Sequence, residues 1–325
     1  MTIDTKRREF LVLGTGLFVA LSLPAALRRR ERLVRRTLPL MGTIAEIQVA
    51  HRDERRAEAA IDAGFAELFR VERTMSRFRR DSDVGRANLG AAREAVRVTP
   101  ETALVVAAAL RWAAATDGRF DPALGSASEL WDVLNRHTPP PPSSVRHLAR
   151  RGFWRKLDVD RFGGAPALRY HDAELHLDLG AIAKGYAIDR ATDALRRCGI
   201  HNAIVTVGGD LYALGGSPSG GPWQVGIRSP HRHDALAATL SVTDRAVATS
   251  GDYERCFRWR GVLYHHLMDP ETAAPRRTTI HSNTVLADCC MQADAASTAT
   301  FGLPRVEAAR IARHLAPGAD VIPLT

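Results

Sequence analysis

Lysine is almost missing from this chain: Lys6, Lys156 and Lys184 stand alone among 325 residues whose remaining basic side chains are arginines. Cysteine is nearly as scarce. Cys198, Cys256, Cys289 and Cys290 have no metal-binding spacing, and adjacent Cys289 and Cys290 are poorly placed to pair, because a bridge needs Cβ atoms that face each other. Buried thiols are the reading that remains, with no cysteine redox centre. Aromatic residues make up 6%, and no basic stripe interleaved with them stands out. A net charge of +9 would otherwise raise nucleic acid or membrane as partners. Residues 1–36 hold nine basic residues against three acids, so the other 289 carry only +3. Nucleic acid is therefore not expected as a partner. There is also no internal repeat and no long linker beyond Arg36.

What is present begins with a leader. Thr5–Leu11 reads TKRREFL, and an apolar run continues to Leu27. Paired arginines before a modestly apolar run have the form of a twin-arginine export signal; the alternative is a chance Arg-Arg in an arginine-rich chain. The run is short for a spanning helix and holds Gly14, Gly16, Ser22 and Pro24. Pro24-Ala25-Ala26 is a poor cleavage site, and Arg28–Arg30 follow at once, so retention as an anchor stays open. No cysteine near the end of the run offers a lipid attachment. The expected division is a leader over 1–27, a basic linker over 28–36 and a single domain over 37–325. The expected address is outside the inner membrane, periplasmic or held on its outer face.

Within the body, Thr43–Ala50 alternates as a strand and Arg56–Met75 has helical periodicity. Thr99 as N-cap and Pro100 at the first helical position open a helix that ends near Thr116-Asp117-Gly118. Thr138–Ser144 (TPPPPSS) reads as a projecting loop. Strands are predicted near Leu175–Leu179 and at 203–207, 211–214, 223–227, 237–242, 246–249, 262–268 and 282–287. Helices are predicted over 183–197, stopped by Gly199, from about Ala293, and over 305–314. Runs of strands mixed with a few long helices indicate the α+β class.

The chemistry gathers at two places. LHLDLGAIAKGYAIDR (175–190) puts Asp178 at a strand end, a sharp turn at Gly180, and Lys184 as a mobile charge on the first turns of a helix. Free N–H groups there would suit a phosphate; an ordinary strand–turn–helix joint with a surface lysine is the plain alternative. DAAST (294–298) puts Asp294 and Thr298 one helical turn apart, two oxygen ligands for a hard cation such as Mg²⁺. Such a pair is also commonplace. His265-His266 precede an Asp-Pro turn and point opposite ways along a strand. Either could be a general base at neutral pH or a structural histidine. Thr249-Ser250-Gly251-Asp252 is a polar turn that could face a ligand or simply close a hairpin.

These stretches resemble the ApbE family of FAD:protein FMN transferases. The resemblance runs in order through Met41-Gly42-Thr43, Met75-Ser76-Arg77-Phe78, Gly118-Arg119-Phe120-Asp121-Pro122, LDLGAIAKGYAIDR, Gly208-Gly209-Asp210, Thr249–Asp252, HHLMDP and ADAAST. It implies a single α+β domain with a tunnelling-fold-like core. It implies FAD as substrate, with flavin contacts at Met41, Phe78, Arg119, Phe120, Asp121, Asp178, Lys184, Thr249, Ser250 and Met268. It implies Mg²⁺ at Asp294, Thr298 and the main-chain carbonyl of Ala181. It further implies transfer of FMN to a threonine or serine hydroxyl of an acceptor protein of the electron-transfer flavoprotein type, with AMP released. His266 would take the proton of that hydroxyl, and Lys184 would neutralise pyrophosphate charge. Phe78 stands where the family usually has tyrosine, Ala123 replaces a threonine, and Ala273 replaces a glycine. An FAD pyrophosphatase and a non-catalytic flavin-binding protein are the competing readings.

Overall fold

Segments that alternate apolar and polar residues build one seven-stranded sheet, antiparallel throughout. Its spatial order is Asp320–Leu324, Ser282–Ala287, Arg245–Gly251, Asp210–Leu214, Ala203–Val207, Thr43–His51 and Arg32–Leu40. The structure, a computed structural model, describes residues 31–325 except His233, and the backbone of Ala20–Leu21. The leader over 1–27 otherwise lies outside the described residues, as do residues 28–30 of the expected linker. No helix among the described residues is long and apolar enough to cross a membrane.

Both faces of the sheet are covered. Ala45, Ile47 and Val49 meet Ile61, Phe65 and Leu68 of the Glu54–Met75 helix, together with Ile188, Ala191 and Leu195 of the Ala183–Arg197 helix. On the other face Ile204, Leu211, Ala213 and Val247 pack against Trp223, Val225 and Ile227, from the antiparallel pair Trp223–Arg228 and Leu236–Val242. Burial on two sides explains why Arg245–Gly251 reads as a nearly continuous buried run rather than an alternating one. Helices packed on an antiparallel sheet give the expected α+β class in one domain.

Several local expectations are corrected. Arg32–Arg36, read as linker, form the first half of the edge strand Arg32–Leu40, where Val34 is buried and Arg36 pairs with Glu58 and Asp62. Charged side chains on an edge strand discourage further pairing, which is why composition there resembles a linker. Leu175–Leu179 is extended but joins no sheet. Its leucines are buried, yet its backbone bonds go to the Asn88 side chain at Leu177, to the Pro122 carbonyl at Asp178 and, in a single parallel bridge with Leu124, from the Gly125 amide to the His176 carbonyl. The proline loop ends in a short helix, Pro142–Leu148, with Pro142 at its start. The strand expected over 262–268 splits into Val262–His265 and Met268–Asp269. The helix expected from Ala293 begins at Cys290. Its cap comes from another helix: Asp189 accepts from the amides of Cys290 and Met291 at 2.8 and 2.9 Å.

That cap joins the lysine helix (Ala183–Arg197) to the aspartate helix (Cys290–Ala299), and the two touch at backbone distance. A Cβ on Gly185 would lie 2.3 Å from the Cys290 carbonyl oxygen and 2.7 Å from the Met291 Cα. Gly185→Ala is therefore expected to force the helices apart and cost about 2–3 kcal/mol or more. The check is a denaturant titration. A midpoint equal to that of the parent protein would refute the close contact.

Candidate functional site

The sheet's strand ends and the two touching helices place Lys184 between two carboxylates. Its ammonium donates to Asp210 Oδ2 at 2.7 Å and to Asp294 Oδ1 at 2.8 Å, and both carboxylates are buried. Lys184 is thus pinned, which corrects the expectation of a mobile charge. Burial alone would lower the lysine pKa, but the two carboxylates outweigh it and hold it above the usual range. The Asp210 pKa rises too: burial and the neighbouring Asp294 push its carboxyl up to about 7 against the pull of Lys184. The two directions agree once the charges are counted. One ammonium faces two buried carboxylates, so Lys184 stays charged, and above about pH 7, where Asp210 gives up its proton, one negative charge is left over.

The lysine helix offers no open phosphate cradle at its start, contrary to expectation. The Gly185 amide already donates to Asp294 Oδ2 at 3.0 Å, the Gly180 amide to Asp178 Oδ1 at 2.9 Å, and the Ala183 amide to the Leu179 carbonyl at 2.8 Å. A carboxylate at a helix N-terminus fills the role an anion would take there. Hydroxyls line up beside this cluster. Ser250 lies 3.0 Å from Thr298 and 2.8 Å from Ser297, Thr249 bonds Thr284, and the Thr249 amide donates to Asp210 Oδ1 at 3.1 Å. Lys184, Thr249, Ser250, Asp294 and Thr298 therefore meet in one hydrogen-bonded cluster, with Ala181 in the turn just before the lysine helix. Oxygen donors without thiolate or imidazole, carrying excess negative charge, fit a hard cation such as Mg²⁺. Each carboxylate oxygen keeps a lone pair beyond its present bond.

The two histidines separate by environment. His265 is buried, with Nε2 2.8 Å from the Arg276 carbonyl and Nδ1 accepting from the Leu267 amide at 3.2 Å, so its ring is structural. His266 has a buried Nδ1 without a partner. Burial, then the positive charges of Arg255 and Lys184 among others, push its pKa down to about 3. It is a neutral imidazole beside the cationic side of the site. His176 contrasts with it, because a hydrogen bond to Glu129 raises its pKa above 6.5. In histidine NMR titrations, His176 should gain its proton first, with His266 still neutral at about pH 5. A His266 ring protonated at that pH would contradict the burial described.

Other expected flavin contacts are placed as follows. Phe78 is exposed, with the Arg77 guanidinium 4.3 Å from its ring centre. Arg77 also pairs with Asp178 at 3.0 Å and reaches Glu129 at 3.3 Å, so a ring-shaped ligand would meet Phe78 on a pre-ordered support. Met41 sits at φ +53°, its amide donating to Glu72 at 2.7 Å. Phe120 is buried in the main core, so a contact there would use its main chain. Asp121 receives the amides of Ala123 and Trp154, and burial pushes its pKa up to about 6. Met268 is half-buried beside the Trp131–Phe257 cluster. Ala273, where the resemblance leads one to expect glycine, takes φ +51°, a conformation glycine adopts at no steric cost.

Sequence reasoning missed Arg276. Buried without a carboxylate bonded to it, this guanidinium donates to the carbonyls of Phe301, Arg119 and Met268 at 3.0, 2.9 and 3.4 Å. It ties the end of the aspartate helix to two of the motif loops, and burial with neighbouring Arg119 pushes its pKa down to about 9. Arg119 shares the Phe301 carbonyl at 2.7 Å. Nothing in the local sequence marks that role. Asp210 had a signal, its place after Gly208-Gly209, but not as the second carboxylate of Lys184.

The buried Lys184–Asp210–Asp294 cluster with its row of hydroxyls, and a neutral histidine within electrostatic reach of Lys184, make this the candidate active site. The chain belongs to the ApbE family, whose model matches residues 41–322. An FAD:protein FMN transferase of Treponema pallidum is 33% identical over 310 residues, covering 91% of this chain and 85% of its own. One from Vibrio cholerae is 32% identical over 266 residues, covering 80% and 78%. The ApbE protein of Thermotoga maritima superposes with a TM-score of 0.81 at 30% identity, covering 90% of this chain and 94% of that one. The flavin transferase ApbE of Vibrio cholerae superposes at 0.78 with 28% identity, covering 90% and 93%.

Proposed function

We propose that this chain transfers FMN from FAD to a threonine or serine hydroxyl of an acceptor protein, releasing AMP, with Mg²⁺ required. The observation that carries the reading is the neutral imidazole of His266, with a buried Nδ1 that has no hydrogen-bond partner, within electrostatic reach of Lys184 in the Lys184–Asp210–Asp294 cluster. The acceptor oxygen attacks the FMN phosphorus, the bond between that phosphorus and the bridging oxygen breaks, and the bridging oxygen leaves with AMP. His266 takes the hydroxyl proton. With a pKa near 3 it is a weak base before substrate arrives. The negative pyrophosphate, placed beside it, raises its basicity when the proton must move. Lys184 lends its charge to the same oxygens. Asp294, the Thr298 hydroxyl and the Ala181 carbonyl would hold Mg²⁺, which would supply further charge neutralisation there. Phe78 on Arg77 would stack the isoalloxazine ring.

The relatives' activity as FAD:protein FMN transferases supports this reading, and so does the oxygen-only donor set. The test is incubation with FAD, Mg²⁺ and a threonine peptide bearing the family's acceptor motif, followed by intact mass. A peptide heavier by one FMN phosphoryl unit supports transfer. Free FMN and AMP with an unchanged peptide would make the protein an FAD pyrophosphatase instead.

The proposed acceptor is an exported electron-transfer flavoprotein, and the proposed address is outside the inner membrane. Arg7-Arg8 ahead of Phe10-Leu11 supports twin-arginine export. Changing both arginines to lysine should strand the protein in the cytoplasm, because recognition reads the guanidinium pair. Cell fractionation decides it, and equal export of both forms would reject the route.

A further inference from the structure

The chain just before His266 forms a hairpin that the reaction does not use. Cys256–Trp259 pairs with Val262–His265 through a two-residue turn, Arg260-Gly261, with φ of +48° and +78°. Both central residues at positive φ make this the tight turn that matches strand twist. The closing pair, Trp259 with Val262, is then hydrogen-bonded, so Arg258 and Leu263 turn their backbone groups outward. On one side that edge is covered: the Arg277 guanidinium donates to the Leu263 carbonyl at 2.8 Å. The other edge, along Cys256–Trp259, has no neighbouring strand among the described residues.

The hairpin is firmly held. Tyr264 stacks on Phe257 and on Trp131 with ring centres 5.2 and 5.3 Å apart, and Arg277 lies 4.8 Å from its ring centre. Its tip is exposed at Arg258, Trp259, Arg260 and Val262. From Arg255 to Met268 there is no acidic residue at all. The acids that precede it are engaged elsewhere, Glu254 with Arg228 at 3.7 Å and Asp252 with His281 at 2.7 Å. The charge count over the whole body averaged this stretch away. At its inner end the His266 amide donates to the Arg255 carbonyl at 3.1 Å, so edge and proposed base belong to one rigid piece.

We propose that the outer edge of Cys256–Trp259 docks an extended, acidic segment of the acceptor protein. This rests on the transferase reading above, since only a protein substrate must bring a chain to His266. Main-chain pairing along the edge would align the segment, and arginines at the tip would reward carboxylates while repelling a second copy of the same edge. From the tip to Arg255 is about four residues, or roughly 13 Å of strand. Acidic residues should therefore sit about four residues from the modified hydroxyl.

The test compares the full chain with its Arg258→Glu/Arg260→Glu variant. The probe is a short fluorescein-labelled peptide with one threonine and aspartates about four residues away; a matched peptide carries asparagines instead. Anisotropy is read with FAD present at low salt. The parent should bind the aspartate peptide about tenfold more tightly than the asparagine peptide, and the variant should lose that preference. FAD binding, followed by flavin fluorescence, should be equal in both proteins. Equal binding of the two peptides by the parent would overturn the proposal, as would a preference that survives in the variant. Tighter binding of a single-stranded oligonucleotide than of the aspartate peptide would also overturn it, in favour of a nucleic-acid surface. Failure of the transferase reading shows separately, as no FMN added to any peptide and no AMP formed, whatever the anisotropy reports.

Discussion

Asp294→Ala should lower FMN transfer by about a thousandfold or more while FAD still binds. Asp294 holds Lys184 at 2.8 Å and the Gly185 amide at 3.0 Å, and it is the only carboxylate in the proposed Mg²⁺ set. Several kcal/mol of charge stabilisation at the reacting phosphorus depend on such a ligand. The variant leaves Lys184 paired with Asp210 alone, a neutral couple without the spare negative charge that would attract a cation. Stability should fall as well, because a helix N-terminus loses its carboxylate. The measurement is single-turnover transfer at limiting Mg²⁺, beside FAD affinity and thermal melting. Normal turnover by a well-folded variant would remove Asp294 from the metal site.

His266→Ala should slow transfer by about a hundredfold or more, the usual worth of a positioned general base. His265→Ala should act on stability instead. Its ring satisfies the Arg276 carbonyl and the Leu267 amide, and losing both leaves buried groups unpaired at a cost of about 1–3 kcal/mol each. The two variants should therefore separate: one melts near the parent temperature and transfers slowly, the other melts early. Equal slowing in both, without a stability difference, would reassign the base.

How much of this was legible in the sequence depends on where each signal lies. The Glu54–Met75 helix, the Thr99 cap and the inner strands of the sheet were readable because period and capping are local; its two edge strands, Arg32–Leu40 and Asp320–Leu324, were not. Leu175–Leu179 showed the alternation of a strand, and its leucines are buried as that alternation requires. Pairing is not a local property, and its hydrogen bonds go to Asn88. Asp294 and Lys184 could each be singled out, but their mutual bond spans 110 positions and no spacing rule reaches that far. Arg276 could not be found at all. Its partners are three backbone carbonyls, which every residue possesses.

The position of the lysine helix against the aspartate helix has a consequence for when the protein becomes active. Lys184 leaves the ribosome long before Asp294, and Asp210 emerges between them. On that side of the sheet, Asp320–Leu324 is made later than all three charges and pairs with Ser282–Ala287. A growing chain thus carries two of the three charges with no means of holding the third. The three-charge site therefore closes only once the Cys290–Ala299 helix has been made and has docked on the lysine helix. Under the twin-arginine route proposed above, export in the folded state would deliver to the acceptor a site already closed.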